Sequence, residues 1–427
     1  MTTALDRVHE FVGPFGPVPL PPYRLPASYL PPWWNSYASA SPAQTLSRPY
    51  LRTTKEVHGT GRSTEADRAW RISVIETLER LANYAAREEF PVSDAASLPT
   101  ALDLDEVPRC SALELASEGC KLVLPDKNAP IRWTEGVRVA TGERVHIPAV
   151  MTRLGLPPLP GERFWAQIST GVAAGGSYEA ALASGICEVI ERDMISVTWH
   201  QRLALPRMDP SVVTPSGARL LEWCARKYIT VHVFDATSEI GVPTVYCVHE
   251  APHDPVAGLL VSAATHLDPA TAVEHAVSEG TSLRTALHNA AQQDPADRET
   301  LIKGALFIGA PDQARALDFL AGRSTAAGFS RGPVPAAVPD SDALRLRHLV
   351  ERCEDAGHPV YAVDLTTPEL RTIGLHVVSA VIPSLQPLAF NRHAQYRGHP
   401  RLYRLPALLG HPVRAEGDLN PLPQPFA

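Results

Sequence analysis

Apolar residues recur at helical spacing in two long stretches. Ile72, Ile75 and Leu78 mark the first; Leu182, Ile186, Val189 and Ile190 mark the second. The spacing predicts an amphipathic helix over about 64–86 and a helical unit over about 171–203. Between and beyond them lie short apolar runs that read as strands: Val137-Arg138-Val139, Val145-His146-Ile147, Ile229 to Phe234, Val245 to Val248, Leu259-Leu260-Val261, Val360 to Val363 and Leu375 to Ile382. A further helix opens at Asp268-Pro269, with Asp as N-cap and Pro at the first helical position, and runs towards Asn289. Another covers Asp342 to Ala356 and stops at Gly357. The alternation predicts an α/β (α+β) fold with mixed sheets and flanking helices. Single helices do not regularly separate the strands, so a simple doubly wound sheet does not follow.

The two ends differ from this pattern. Ten of the first fifty residues are proline, which rules out long helices there and favours extended chain. Trp33 and Trp34 suggest that part of this arm packs on the rest. The last residues, Asn420-Pro421-Leu422-Pro423-Gln424-Pro425-Phe426-Ala427, carry proline at every second position. Such a chain is extended, and it loses little entropy on ordering because its unfolded form is already restricted. The expected division is an arm at 1–50, a central domain at 51–415 and a tail at 416–427.

Composition narrows the class. With 427 residues, 44% hydrophobic and 20% charged, the chain can bury a large core. A net charge of −7 argues against general nucleic-acid binding. No run of 18 apolar residues predicts a membrane span, and Met1 to Asp6 lacks the order of a signal peptide, so a cytoplasmic protein is expected. The six cysteines have no C-x-x-C spacing, which disfavours a structural zinc site.

Chemistry enters through a repeat. Gly59-Thr60-Gly61-Arg62-Ser63 precedes Glu76-Thr77-Leu78-Glu79-Arg80; Ala174-Gly175-Gly176-Ser177 precedes Glu188-Val189-Ile190-Glu191-Arg192. Each reads as a glycine-rich turn feeding a helix that ends in Glu-x-x-Glu-Arg. Residues three apart share a helix face, so each copy projects two carboxylates side by side. Glu and Arg four apart also form ordinary surface ion pairs. Yet the recurrence of pattern and turn together points to Glu76, Glu79, Glu188 and Glu191 as one hard-oxygen Mg²⁺ site, and Mg²⁺ usually arrives with nucleotide phosphates. Glycine turns opening helices present N–H groups to such phosphates.

These residues resemble the YcaO-domain family from about Lys55 onward. Three stretches carry the resemblance: Gly59 to Arg80; Ser169 to Ser177 continuing through Glu188, Glu191, Arg192 and Asp193; and His266-Leu267-Asp268-Pro269 through Glu279 to Arg284. Trp199-His200-Gln201-Arg202, the late strands at Val363 to Thr367 and Leu375 to Val378, Arg401-Leu402-Tyr403-Arg404-Leu405-Pro406 and the proline tail are similar to the azoline-forming subclass. The chain departs from the family pattern at Gly176, Ser282 and Ala427. The resemblance implies a YcaO-type fold, ATP and Mg²⁺, metal binding by Glu76, Glu79, Glu188 and Glu191, and nucleotide contacts from Arg192, Arg284, Glu279 and Ser177. It places Glu191, Arg192, Pro421, Pro423 and Pro425 at the catalytic centre, with the tail reaching in.

The implied function is ATP-dependent cyclodehydration of Cys, Ser or Thr in a ribosomally made precursor peptide, giving thiazoline or oxazoline. The implied partners are that peptide, a leader-binding protein (E1-like or similar), a flavin dehydrogenase and a second copy of the chain. Thioamide or amidine formation, or a non-catalytic nucleotide- or peptide-binding role, are the alternatives. The general base is open between a tail carboxylate and a histidine such as His200. Removal of the tail is expected to leave stability nearly unchanged.

Overall fold

A computed structural model describes residues 4–26, 29–42, 56–84, 90–209, 211–293, 300–321, 330 and 338–426. The strands are β1 (Tyr23–Arg24), β2 (Asn35–Pro42), β3 (Glu56–Ser63), β4 (Val92–Ser93), β5 (Ile131–Arg138), β6 (Arg144–Pro148), β7 (Val172–Gly175), β8 (Thr230–Asp235), β9 (Thr244–Glu250), β10 (Leu259–Thr265), β11 (Tyr361–Asp364) and β12 (His376–Val381). The helices are α1 (Ala66–Tyr84), α2 (Ala112–Leu115), α3 (Tyr178–Gln201), α4 (Pro215–Arg226), α5 (Pro269–Ala291), α6 (Thr300–Gly309), α7 (Asp318–Ala321), α8 (Asp342–Asp355), α9 (Pro368–Ile373) and α10 (Arg401–Leu408). The chain separates into two compact units. One is Met1–Val107, Leu122–Val189 and Pro339–Pro383; the other is Pro108–Lys121, Ile190–Val338 and Ser384–Ala427.

The first unit holds two antiparallel sheets. β1, β2 and β3 form one; β4-β5-β11-β12-β7, with β6 on β5, form the other. The proline-rich arm is more structured than its composition predicts. It carries a 3-10 helix at Ala4–Phe11 and all of β2, whose eight residues pair in full with β3. α1 buries Ala69, Ser73, Val74, Thr77, Leu78 and Leu81, a face set by helical spacing. Val74, Leu78, Trp133, Ile147 and Val377 share the core beneath.

The second unit is built on the antiparallel sheet β10-β9-β8. β10 is buried along its whole length, as a strand covered on both faces must be. α5 begins as its sequence predicts: Asp268 caps it by accepting from Thr271 N at 3.0 Å, and Pro269 follows. Trp199, Tyr246, Val261, Leu402 and Phe426 meet in this unit's core. The helix expected to reach residue 86 is described to Tyr84; residues 85–86 and Ala427 lie outside the described residues.

Candidate functional site

In the first unit the run Gly59 to Ser63 is not a turn but part of β3. Its glycines serve a close approach. A Cβ at Gly61 would collide with the backbone of Ala69 and Ser73, and one at Gly59 with Ser73 and Thr77. α1 therefore lies against the bare strand, and the strand's N–H groups fall within reach of the helix's own carboxylates. Glu76 Oε2 accepts from Thr60 N at 2.7 Å and from its hydroxyl at 3.2 Å. The Thr60 amide is thus engaged by Glu76. Glu76 Oε1 pairs with Arg80 at 2.6 Å, and Arg80 also donates to His58 O. In this copy the ordinary i, i+4 ion pair does form.

The second run behaves as the sequence suggests. β7 ends at Gly175, Gly176 is exposed, and the Ser177 hydroxyl accepts from Ala180 N at 3.1 Å in the first turn of α3. It also donates to Asp342 Oδ2 at 2.9 Å. Asp342 opens α8, far away in sequence, and nothing in its surroundings flags it.

Glu79 and Glu188 are each fixed by one backbone amide. Glu79 Oε2 accepts from Ala174 N at 2.9 Å, and Glu188 Oε2 from Gly171 N at 2.9 Å. Burial pushes the Glu79 carboxyl up to about 8; the charges of Glu188 and Glu76 push the same way, and the Ala174 amide and Arg80 only partly oppose them. Glu76, Glu79 and Glu188 thus share one neighbourhood in which their negative charges repel. Among the described residues no group of three or more His, Cys, Asp or Glu already forms a metal cage. Mg²⁺ does not require one, because it takes one or two carboxylates and completes its shell with waters and phosphate oxygens. Hard carboxylate oxygens held by backbone amides, with one carboxyl destabilised as an anion, fit such an ion.

In the second unit Glu191 follows the same rule: its Oε2 accepts from Thr265 N, at the end of β10, at 3.1 Å. Arg192 Nε stands 4.0 Å from Glu191 Oε1, and its guanidinium lies 5.7 Å from the centroid of the Phe426 ring, within cation–π range. Arg284, named above as a nucleotide contact, sits inside this unit. It is 3% exposed and donates through Nη1 to Asp254 and to Ala257 O, while His288 Nε2 meets Asp254 at 3.0 Å. Burial alone would raise the Asp254 carboxyl, but His288, the Val256 and Ala257 amides and Arg284 hold it at about 2. A buried guanidinium needs a carboxylate, and Asp254 supplies it to Arg284 through Nη1. Glu279 is half-buried on α5.

The tail is an ordered part of this unit. Pro421 is exposed, Pro423 half-buried and Pro425 buried, and Phe426 is 1% exposed. Trp-His-Gln-Arg at the end of α3 is what holds it. Trp199 Nε1 donates to Leu422 O at 3.3 Å, Asn420 N to His200 O at 2.9 Å, and Arg202 to Asp418 O at 3.1 Å. The Gln201 amide pairs with the Arg414 backbone through both of its ends, at 3.2 and 2.8 Å. At Gly304 a Cβ would strike the carbonyl of Gln424, so a glycine in α6 makes room for the strand. Gly304 escaped the sequence reading; Gln201 and Arg202 stood there only as members of the Trp199 to Arg202 run, without their contacts to the segment leading into the tail. His200 is buried, and burial, helped by Arg397, pushes its pKa down to about 3. Burial therefore disfavours the protonated form of His200, which weighs against a role as general base. The C-terminal carboxylate lies outside the described residues.

Comparison with known proteins agrees with this architecture. A family model described as YcaO cyclodehydratase, ATP- and Mg²⁺-binding, matches residues 60–386. An uncharacterised protein of the tfuA 3′ region of Rhizobium leguminosarum bv. trifolii is 28% identical over 218 residues, 48% of either chain. A heterocyclase solved with substrate and cofactor has the same fold, with TM-score 0.79 at 21% identity, covering 100% of this chain and 58% of that one. YcaO from Methanopyrus kandleri, solved with AMPPCP and Mg²⁺, superposes with TM-score 0.62 at 19% identity over 86% of this chain and 85% of its own. The chain therefore spans about half the length of the first two proteins. No helix among the described residues is long and apolar enough to cross a membrane. With the family model covering more than half of its residues, this chain belongs to the YcaO family.

Proposed function

We propose that the protein is an ATP- and Mg²⁺-dependent peptide cyclodehydratase. Its substrate is a ribosomally made precursor peptide. A Cys thiol, or a Ser or Thr hydroxyl, adds to the preceding amide carbonyl; the resulting oxyanion takes the γ-phosphoryl group of ATP; loss of phosphate leaves thiazoline or oxazoline. Glu76, Glu79, Glu188 and Glu191 are the Mg²⁺ ligands and Arg192 is the phosphate contact. Mg²⁺ held by these carboxylates would supply charge neutralisation for the transferring group, and positioning by the chain's own residues supplies most of the rest. The ordered proline tail, with Phe426 against Arg192, favours azoline formation over thioamide or amidine formation.

The observation that carries this reading is Glu79. A half-buried carboxyl raised to about 8 by its surroundings and by two acidic neighbours is a group that a divalent cation would return to its charged form. The remaining partners are proposed from the family resemblance: a leader-binding protein, a flavin dehydrogenase that oxidises the ring, and a second copy of this chain. The test supplies Mg²⁺, ATP and a leader-bearing Cys peptide with its leader-binding partner. Loss of one water per ring with matching phosphate release supports the reading. Phosphate release with sulfur incorporated into the amide selects thioamide formation. Absence of peptide-stimulated ATP turnover removes the enzymatic reading.

A further inference from the structure

The residue after Arg192 is the most enclosed acid of the second unit. Asp193 is 0% exposed, and its carboxylate is fully occupied. Arg401 Nε lies 3.1 Å from both of its oxygens and Nη2 lies 2.6 Å from Oδ2; Gln386 N donates to Oδ1 at 2.7 Å. The same guanidinium donates through Nη1 to Glu239 Oε1 and through Nη2 to Oε2 at 3.3 Å. Burial works against the Arg401 charge, but Asp193 and Glu239 hold it firmly protonated.

The placement has a mechanical consequence. Successive helical residues are about 100° apart, so Glu191 and Asp193 leave α3 on roughly opposite sides. Glu191 is tied to β10 through Thr265 N, and Asp193 to α10 through Arg401. The helix is thus held on both flanks of Arg192, and its roll about its own axis is fixed where the functional side chains emerge. α10 also leads into the segment that is hydrogen-bonded to Gln201 and Trp199. A planar fork with fixed donor directions defines such an angle; an ammonium on a flexible stem does not.

We propose that Arg401 is a positioning residue for the nucleotide site, acting through Asp193 to set the orientation of Glu191 and Arg192. The proposal rests on the reading of those two residues as Mg²⁺ and phosphate contacts. Arg401 is buried and spends its donors on Asp193 and Glu239, so it acts at a distance, and a misplacement of about 1 Å at such a site costs roughly 100-fold.

The test is Arg401→Lys in the full chain, read by calorimetric binding of AMPPCP across a Mg²⁺ titration. The control is Arg132→Lys, which loosens an equally directional fork on buried Glu162 in the first unit (2.9 and 2.5 Å). Both variants lose thermal stability. Arg401→Lys is expected to raise the half-saturating Mg²⁺ concentration by about tenfold or more, while Arg132→Lys leaves it within about twofold at matched fraction folded. An unchanged Mg²⁺ dependence in folded Arg401→Lys overturns the proposal, as does an equal shift in Arg132→Lys. If Arg401→Lys does not fold, Asp193→Asn takes its place with the same expectation. A wild-type chain that binds no Mg²⁺·AMPPCP overturns the functional reading and this inference with it; normal wild-type binding with an insensitive Arg401→Lys overturns this inference alone.

Discussion

The two Glu-x-x-Glu-Arg copies share a sequence pattern and diverge in use. In the first, Arg80 folds back on Glu76 at 2.6 Å and on His58 O, with its side chain 44% exposed. In the second, Arg192 stands beside Glu191 and over the Phe426 ring, with its side chain 19% exposed. The carboxylates, by contrast, are treated alike: Glu76, Glu79, Glu188 and Glu191 each accept from one backbone amide, those of Thr60, Ala174, Gly171 and Thr265. The repeat therefore conserves a way of aiming carboxylates, and the arginine takes whatever its surroundings offer: solvent and Glu76 in one copy, the tail in the other.

The sharpest break of the comparison comes from its arginines. Arg192→Ala should cut ATP turnover by about 10³-fold or more, the scale lost with an arginine contact in phosphoryl transfer, whereas Arg80→Ala should leave turnover within a few-fold. Equal losses would mean that both copies serve phosphate. Steady-state phosphate release with circular dichroism as the folding check decides it. Glu191→Gln belongs with Arg192→Ala: activity lost, fold kept.

The tail contact is next. Phe426 lies in the core of the second unit, so Phe426→Ala should destabilise by about 3–5 kcal/mol, and removal of Pro421 to Ala427 should lower Tm. This corrects the expectation of a stability-neutral tail. Gly304→Ala separates tail position from helix quality. Alanine favours an isolated helix by about 1 kcal/mol over glycine, yet its Cβ would displace Gln424. Faster proteolysis of the tail in Gly304→Ala is expected, and unchanged cleavage would show that the contact does not hold it.

A subtler effect concerns pH. The Glu79 carboxyl is raised from an ordinary 4.5 to about 8. Between those values the folded chain keeps a proton that the unfolded chain has released. Its contribution to stability is therefore complete below pH 4.5 and disappears as pH rises through 8. Denaturation without Mg²⁺ should show this decline, and Glu79→Gln should flatten it. A slope unchanged by Glu79→Gln would assign it elsewhere. The smallest effect is the surface pair itself: Arg80→Ala should cost no more than about 0.5 kcal/mol.

Much of the architecture follows from the amino-acid sequence alone. Helical spacing placed α1 and α3; Asp268-Pro269 opened α5; Gly357, at φ 81°, follows the end of α8. These are local effects, decided by side-chain periodicity and by backbone groups within one turn. The repeat likewise singled out Glu76, Glu79, Glu188 and Glu191, because an i, i+3 pair on a helix is legible without knowing what lies opposite. What lay opposite was not legible. Only tertiary structure showed that Gly59 and Gly61 belong to a strand pressed on α1, that Arg284 is held by Asp254, that Ser177 meets Asp342, and that Asp193 is gripped by Arg401 from 208 residues away. Each joins elements that local spacing does not pair, and the Arg284 and Asp193 contacts depend on burial: inside the protein a charged group takes the nearest partner the fold supplies, and spacing along the sequence does not encode which one that will be.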